Sequence, residues 1–277
     1  MNAKHLTRKE LSALVPQYPS NFSDTNHSPL TTHHSLKRKT AFTLAEVLIT
    51  LGIIGIVAAL TLPTLIANYQ EKVWIKQFKT SYSILSQAYV QAYNDYGLLE
   101  DWGLNAATDK ENNYKAAKIL TSYIKPAQDY GQVGKRIHKN RYIDLDGRGV
   151  GGMSNGLDGR DSNAYIFALA NGAVININGT GHIGDYSKNI LVAVGLDING
   201  YKGPNQLGKD FFLLYLNQKN NYPEITGYPH WWVGPNNCST KTTSGWHSGG
   251  ACATWLIKRG NMDYLHRELT SEEWPRY

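Results

Sequence analysis

Cysteine and charge are both scarce in this chain: two cysteines in 277 residues, and only 18% Asp, Glu, Lys and Arg. Two cysteines cannot staple a disulfide-rich scaffold, and a chain of this length buries a sizeable core without metal or disulfide. Acidic residues are outnumbered, 22 against 28 basic ones, which taken alone would point to a polyanionic partner. The excess is local. Residues Met1 to Ala41 hold Lys4, Arg8, Lys9, Lys37, Arg38 and Lys39 against Glu10 and Asp24, a balance of +4, and the remaining chain is left near neutral at +2. The basic character therefore belongs to a leader, and no nucleic-acid partner is expected. An internal repeat is also lacking.

Charge is missing altogether from Val47 to Ile66, VLITLGIIGIVAALTLPTLI, and Phe42 to Ala45 extend this run on its N-terminal side. About 20 apolar residues, each rising about 1.5 Å, cross a bilayer core as a helix. Lys37, Arg38 and Lys39 precede the run, and the flank after it, Asn68-Tyr69-Gln70-Glu71-Lys72, is mixed in sign. The positive-inside rule then puts the N-terminus in the cytoplasm and the C-terminal part outside. A secretory signal peptide would be cut after the run at small residues. Here Leu62-Pro63-Thr64-Leu65-Ile66 leads straight into a helical pattern. A plain signal anchor leaves Glu46 unexplained, since a carboxylate inside the run costs about 2.5 to 3.5 kcal/mol on insertion scales.

Lys39-Thr40-Ala41-Phe42-Thr43-Leu44-Ala45-Glu46-Val47-Leu48 resembles the processing signal of type IV prepilins and type II secretion pseudopilins. The resemblance implies that prepilin peptidase cuts between Ala41 and Phe42 on the cytoplasmic face and that the new Phe42 amine is methylated. Glu46 then matches the functional glutamate of the family at the fifth mature position, and Pro63 the proline of its N-terminal helix. A carboxylate in hydrocarbon is tolerated when it meets a cation, and the amine of a neighbouring Phe42 could supply one. Pro63 should kink or loosen the helix, while Gly52 and Gly55 leave smooth patches for neighbouring helices. Implied partners are other pilin-like subunits, the prepilin peptidase, an inner-membrane assembly platform and membrane lipid. Where family members carry glycine before the cut, this chain has Ala41.

Beyond the run, Trp74, Phe78, Tyr82, Leu85, Tyr89, Tyr93 and Tyr96 recur at spacings of four or three. One amphipathic helix should therefore continue from about Phe42 to Tyr96 and stop at Gly97, its aromatic stripe packed on a globular domain. A second helix is expected over Asp109 to Ile124, with Thr108 and Glu111 as a capping box and Pro126 beyond its end. Ala164 to Ala170 and Ala173 to Ile177 flank Asn171-Gly172, a strong hairpin signal, and Ile190 to Val194 should add a strand. The expected fold is α+β: a long N-terminal helix packed against a C-terminal antiparallel sheet, laid out like a pilin. The divisions are a leader at 1–41, a transmembrane segment at 42–66, the exposed half of the same helix at 67–97 and a head at 98–277.

Gly147-Arg148-Gly149-Val150-Gly151-Gly152 fits G-x-G-x-x-G, and Gly152-Met153-Ser154-Asn155-Gly156 fits G-x-S-x-G. Each motif needs a helix to open directly after it, whereas the chain continues with loop residues, so neither a dinucleotide site nor a serine hydrolase follows. The loop Asp197 to Asp210 is richer in chemistry. Its Asp197, Asn199 and Asp210 are ligand types for a hard cation, and it is similar in type to the calcium-binding loop of major pseudopilins. The alternative is a turn whose Asp and Asn side chains bond their own backbone. Cys238 and Cys252 can form a disulfide in an exported domain or join His230 or His247 around zinc, and their spacing matches no common zinc module. A disulfide here would resemble the C-terminal disulfide loop of many type IV pilins. Trp231, Trp232, Trp246 and Trp255 cluster nearby as a satellite core or a subunit contact surface.

The reading is a structural subunit of a type II secretion or type IV pilus filament, with no enzymatic activity and no required cofactor. Its rival is a membrane-anchored envelope enzyme or binding protein that keeps its N-terminus.

Overall fold

The computed structural model describes residues 42–104, 110–133, 137, 142–149, 161–181, 191–227, 234–241 and 248–275. The leader, Ala41, Thr108 and the G-x-S-x-G segment lie outside the described residues, as do His230, Trp231, Trp232, Trp246 and His247. The chain divides into two units, Met1–Ile54 and Gly55–Tyr277.

Helix α1 runs from Leu44 to Tyr96, 53 residues, and ends before Gly97 as the periodicity requires. It passes through Pro63 without interruption. The proline removes the helical donor to the Ala59 carbonyl but does not end the helix. The side chains of residues 44–57 are all exposed, and no charged residue occurs between Val47 and Gln70.

In the larger unit, α1 lies against a six-stranded sheet: β1 (Gln128–Gly131), β2 (Tyr165–Ala168), β3 (Val174–Gly181), β4 (Leu191–Asp197), β5 (Phe211–Lys219) and β6 (Tyr222–Thr226). The strands are antiparallel and adjacent in chain order. Residues of alternating parity face the helices: Phe167, Ile175, Val194, Leu196, Phe212 and Leu214 form one core with Phe78, Leu85 and Tyr89 of α1. The opposite face is apolar too. Ile166, Val174, Phe211 and Leu213 pack there with Tyr142 and Leu207. Two buried faces explain why β4 and β5 read as continuous apolar runs rather than alternating ones. The sheet edges are blunted, β1 by its brevity and a bulge, β6 by Pro223, which has no N–H to offer.

The aromatic stripe is core with polar tips. Phe78 meets Phe212 edge to face at 4.7 Å between ring centres. The hydroxyls of Tyr82, Tyr89 and Tyr93 donate to the carbonyls of Ile225, Asn217 and Asn221 at 3.2, 2.8 and 2.7 Å, pinning α1 to the β5–β6 hairpin. Each ring thus buries apolar area while its hydroxyl keeps a partner.

Helix α2 spans Lys110–Ile124 as the sequence pattern implies, and Asp109, its expected first residue, lies outside the described residues. Asn113, buried within it, donates to the Asn163 carbonyl at 3.0 Å and accepts from the Gly179 amide at 3.1 Å. The β2–β3 connection is a hairpin, but Asn171-Gly172 is not its two-residue turn. Gly172 N–H donates to the Leu169 carbonyl and Leu169 N–H to Ala173, so Ala170, Asn171 and Gly172 make a three-residue loop. Gly172 closes it at φ 87°.

A further α-helix among the described residues, α3 (Cys252–Arg259), is not expected from the sequence pattern. Eight residues are too few for a helical period to stand out beside the cysteine loop.

Candidate functional site

The first feature lies at the start of α1. Thr43 and Glu46 form a reciprocal cap. Glu46 Oε2 accepts from the Thr43 amide at 2.8 Å and from its hydroxyl at 2.9 Å, while Thr43 Oγ1 accepts from the Glu46 amide at 3.2 Å. This is the S/T-x-x-E capping box, which satisfies helix donors that have no intrahelical partner. Its sequence signal, Thr43 followed by Glu46 three residues later, lay in plain view but was overshadowed by the cost of Glu46 in hydrocarbon. The carboxylate is therefore solvated by its own chain before any neighbour arrives. Phe42 is 86% exposed beside it. Beyond this cap, an apolar helix long enough to cross a membrane by length and composition continues past Pro63. A Cβ added at Gly52 or Gly55 would meet nothing within 4 Å, consistent with open patches on the helix surface.

The second feature is the Asp197–Asp210 loop on the far face of the sheet. The structure does bring Asp197, Asn199 and Asp210 together, as donors and acceptors for one another. Asp210 accepts from the amides of Asn205 and Gln206 at 2.8 and 2.7 Å and from Asn199 Nδ2 at 3.1 Å. Asp197 accepts from the Tyr142 hydroxyl at 2.7 Å and from the Asn199 amide at 3.2 Å. Both carboxyls are fully buried. Burial pushes Asp197 up to about 7 against the pull of its Tyr142 bond, and raises Asp210 as well. Two amide oxygens, Asn199 Oδ1 and Asn205 Oδ1, are buried with no partner. They are too few for Ca²⁺, which takes six to eight oxygen ligands. Among the described residues no group of three or more His, Cys, Asp or Glu is placed to hold a metal ion. The set makes a turn held by its own hydrogen bonds.

The third feature is the C-terminal loop. Cys238 and Cys252 are joined in a buried disulfide with 4.8 Å between Cα atoms. The thiols are consumed by that bond, which removes them from any zinc site. The loop presses on the Asp197–Asp210 segment. A Cβ at Gly249, which sits at φ 96°, would lie 2.4 Å from the Leu207 carbonyl oxygen, so only glycine allows this approach. The Tyr264 hydroxyl, wholly buried, donates to the Gly208 carbonyl at 2.8 Å. Trp255 is buried in the core with its ring centre 5.9 Å from that of Trp274, so this member of the tryptophan cluster is packing and not contact surface.

The described part of the glycine-rich motif doubles back. Asp144 N–H donates to Arg148, Gly147 N–H to Asp144, and Ile143 bridges Gly149, so the chain makes a tight turn there and no helix opens at Gly147.

Comparison with known proteins returns one family. Residues 36–62 match the prokaryotic N-terminal methylation motif, the signature of type IV pilins and pseudopilins. No curated protein and no solved structure matches the chain. The matched segment contains Phe42, the Thr43–Glu46 cap and most of the apolar run. It supports a type IV pilin-like or pseudopilin precursor, a class of structural and not enzymatic proteins. The motif implies processing by prepilin peptidase and assembly into pilin-like filaments, and with the long apolar helix it fits a membrane-anchored, filament-forming protein.

Proposed function

We propose that this chain is a pilin-like structural subunit, a pseudopilin of a type II secretion or type IV pilus filament, cut between Ala41 and Phe42. The observation that carries the reading is the match over residues 36–62, with Glu46 inside it at the head of an apolar helix. In this reading the N-terminus faces the cytoplasm and the head lies across the membrane from it. The helix waits in the bilayer until assembly draws it into a filament. There Glu46 exchanges its Thr43 donors for the methylated amine of a neighbouring Phe42, a cation at the same end of the next helix. The sheet and disulfide loop form the head carried outside. A disulfide suits that compartment.

The test is expression of the full chain with and without a prepilin peptidase, followed by mass and N-terminal sequence. The expected product begins at methylated Phe42 only when the peptidase is present. An intact leader under conditions where a control prepilin is cut, or a cut after Ile66, would sink the proposal.

A further inference from the structure

Directly beyond the apolar run, α1 presents a face that the head does not cover. Lys72, Lys76 and Lys79 stand on it at helical spacing, with Thr80, Ser83 and Gln87 continuing it away from the membrane run. The opposite side of the same turns carries Phe78 and Leu85 into the core. Lys72 and Lys76 are four apart, Lys76 and Lys79 three, so like charges repel along this face and an isolated helix gains nothing from them.

Among the described residues no acidic side chain balances the three. Glu71 is the only carboxylate on this stretch of α1, and it is engaged elsewhere, 2.6 Å from His266 Nε2. Lys79 lies beside Gly260 at the C-terminal end of α3, where the helix dipole favours a cation. Lys72 and Lys76 have no anionic partner among the described residues. Nearby Arg259 is turned away, with its guanidinium on the Glu273 carbonyl.

Position identifies the missing anion. Lys72 follows Ile66 by six residues, a rise of about 9 Å, and Lys76 by ten, about 15 Å, whereas Lys79, about 20 Å out, stands beyond the headgroup zone. The headgroup zone on each side of a bilayer core is about 5–8 Å deep. Helical Cα–Cβ bonds tilt toward the N-terminus, here toward the membrane, and long lysine stems reach further that way. Tyr69, 68% exposed on the same side, sits at the level where aromatic rings prefer the interface.

We infer that Lys72 and Lys76 form a docking face for anionic phospholipid headgroups in the leaflet where α1 leaves the bilayer. The inference rests on the proposed membrane-inserted state of the subunit. It gives the waiting subunit a fixed height and rotation in the bilayer, and it ties departure into a filament to the release of bound lipid. A single lysine near an anionic surface contributes about a fivefold preference.

The experiment reconstitutes the full chain in phosphatidylcholine bilayers containing trace spin-labelled phosphatidylglycerol or spin-labelled phosphatidylcholine. Flotation with the vesicles reports insertion, and the motionally restricted signal reports lipid selectivity. Wild type is expected to favour phosphatidylglycerol at low salt. Lys72→Gln/Lys76→Gln should cut that preference by roughly five- to tenfold while still floating. Equal selectivity in wild type and the double variant would overturn the inference, and would assign the preference to the leader or the lysines to an acidic neighbouring subunit. Failure of wild type to float would instead remove the membrane-inserted state on which the inference stands.

Discussion

Glu46 illustrates how one residue serves two structures. In the single chain it completes a capping box with Thr43, and in the proposed filament it meets an amine. Glutamine at N3 also closes a capping box, so two substitutions separate the roles. Glu46→Gln should retain the helix start yet fail to assemble, as Glu46→Ala should, while both insert into membrane. Filaments counted by electron microscopy check this, and normal assembly of Glu46→Gln would leave the cap as the only role. Asp197 offers the corresponding test in the head. Its folded pKa of about 7 lies above the unfolded value near 3.8, so the folded state holds the proton more tightly. Stability is then greatest below the unfolded pKa and falls as pH rises through the folded one, by on the order of 4 kcal/mol across that window. Asp197→Asn, which keeps a group able to bond both Tyr142 and the Asn199 amide, should flatten the decline. Melting curves between pH 4 and 8 measure it, and the same curves with Ca²⁺ or a chelator should superimpose.

Among the elements, α1 is held to the sheet by apolar burial and by three tyrosine hydroxyls. Phe78, 1% exposed and against Phe212, is the most deeply set of its aromatic anchors. Phe78→Ala should cost about 3–5 kcal/mol by lost transfer energy and the cavity left behind. Denaturant unfolding of the full chain in detergent would show it as a lower midpoint with helix content largely kept in the native baseline. The periodicity from Trp74 to Tyr96 made this helix legible because a 3.6-residue repeat survives whatever it packs on. Helix α3 and the three-residue β2–β3 loop were not legible. One is too short for its period to show, and the other depends on which carbonyl Gly172 reaches, a matter of strand register.

For the whole molecule, the disulfide joins residues 14 apart and clamps the loop that lies against Leu207 and Gly208. Removing it as Cys238→Ala/Cys252→Ala should cost about 3 kcal/mol, chiefly through the freer unfolded chain. Equilibrium unfolding of the variant beside wild type, with and without reductant, checks this. Only wild type should respond to reductant.

Sequence alone determined the span, the position of Glu46, the extent of α1 and the α+β layout. Each is a local pattern, written in consecutive residues and independent of distant partners. Tertiary structure alone decided the rest. It put donors on every carboxylate oxygen of Asp197 and Asp210, which composition alone does not specify. It turned the aromatic stripe into hydroxyl bonds to the β5–β6 hairpin, and it tied Glu71 to His266, 195 residues away, leaving Lys72 and Lys76 without a counter-charge among the described residues. Those outcomes turn on which groups meet across the chain, and hydrogen bonds and ion pairs depend on distances that no local pattern contains.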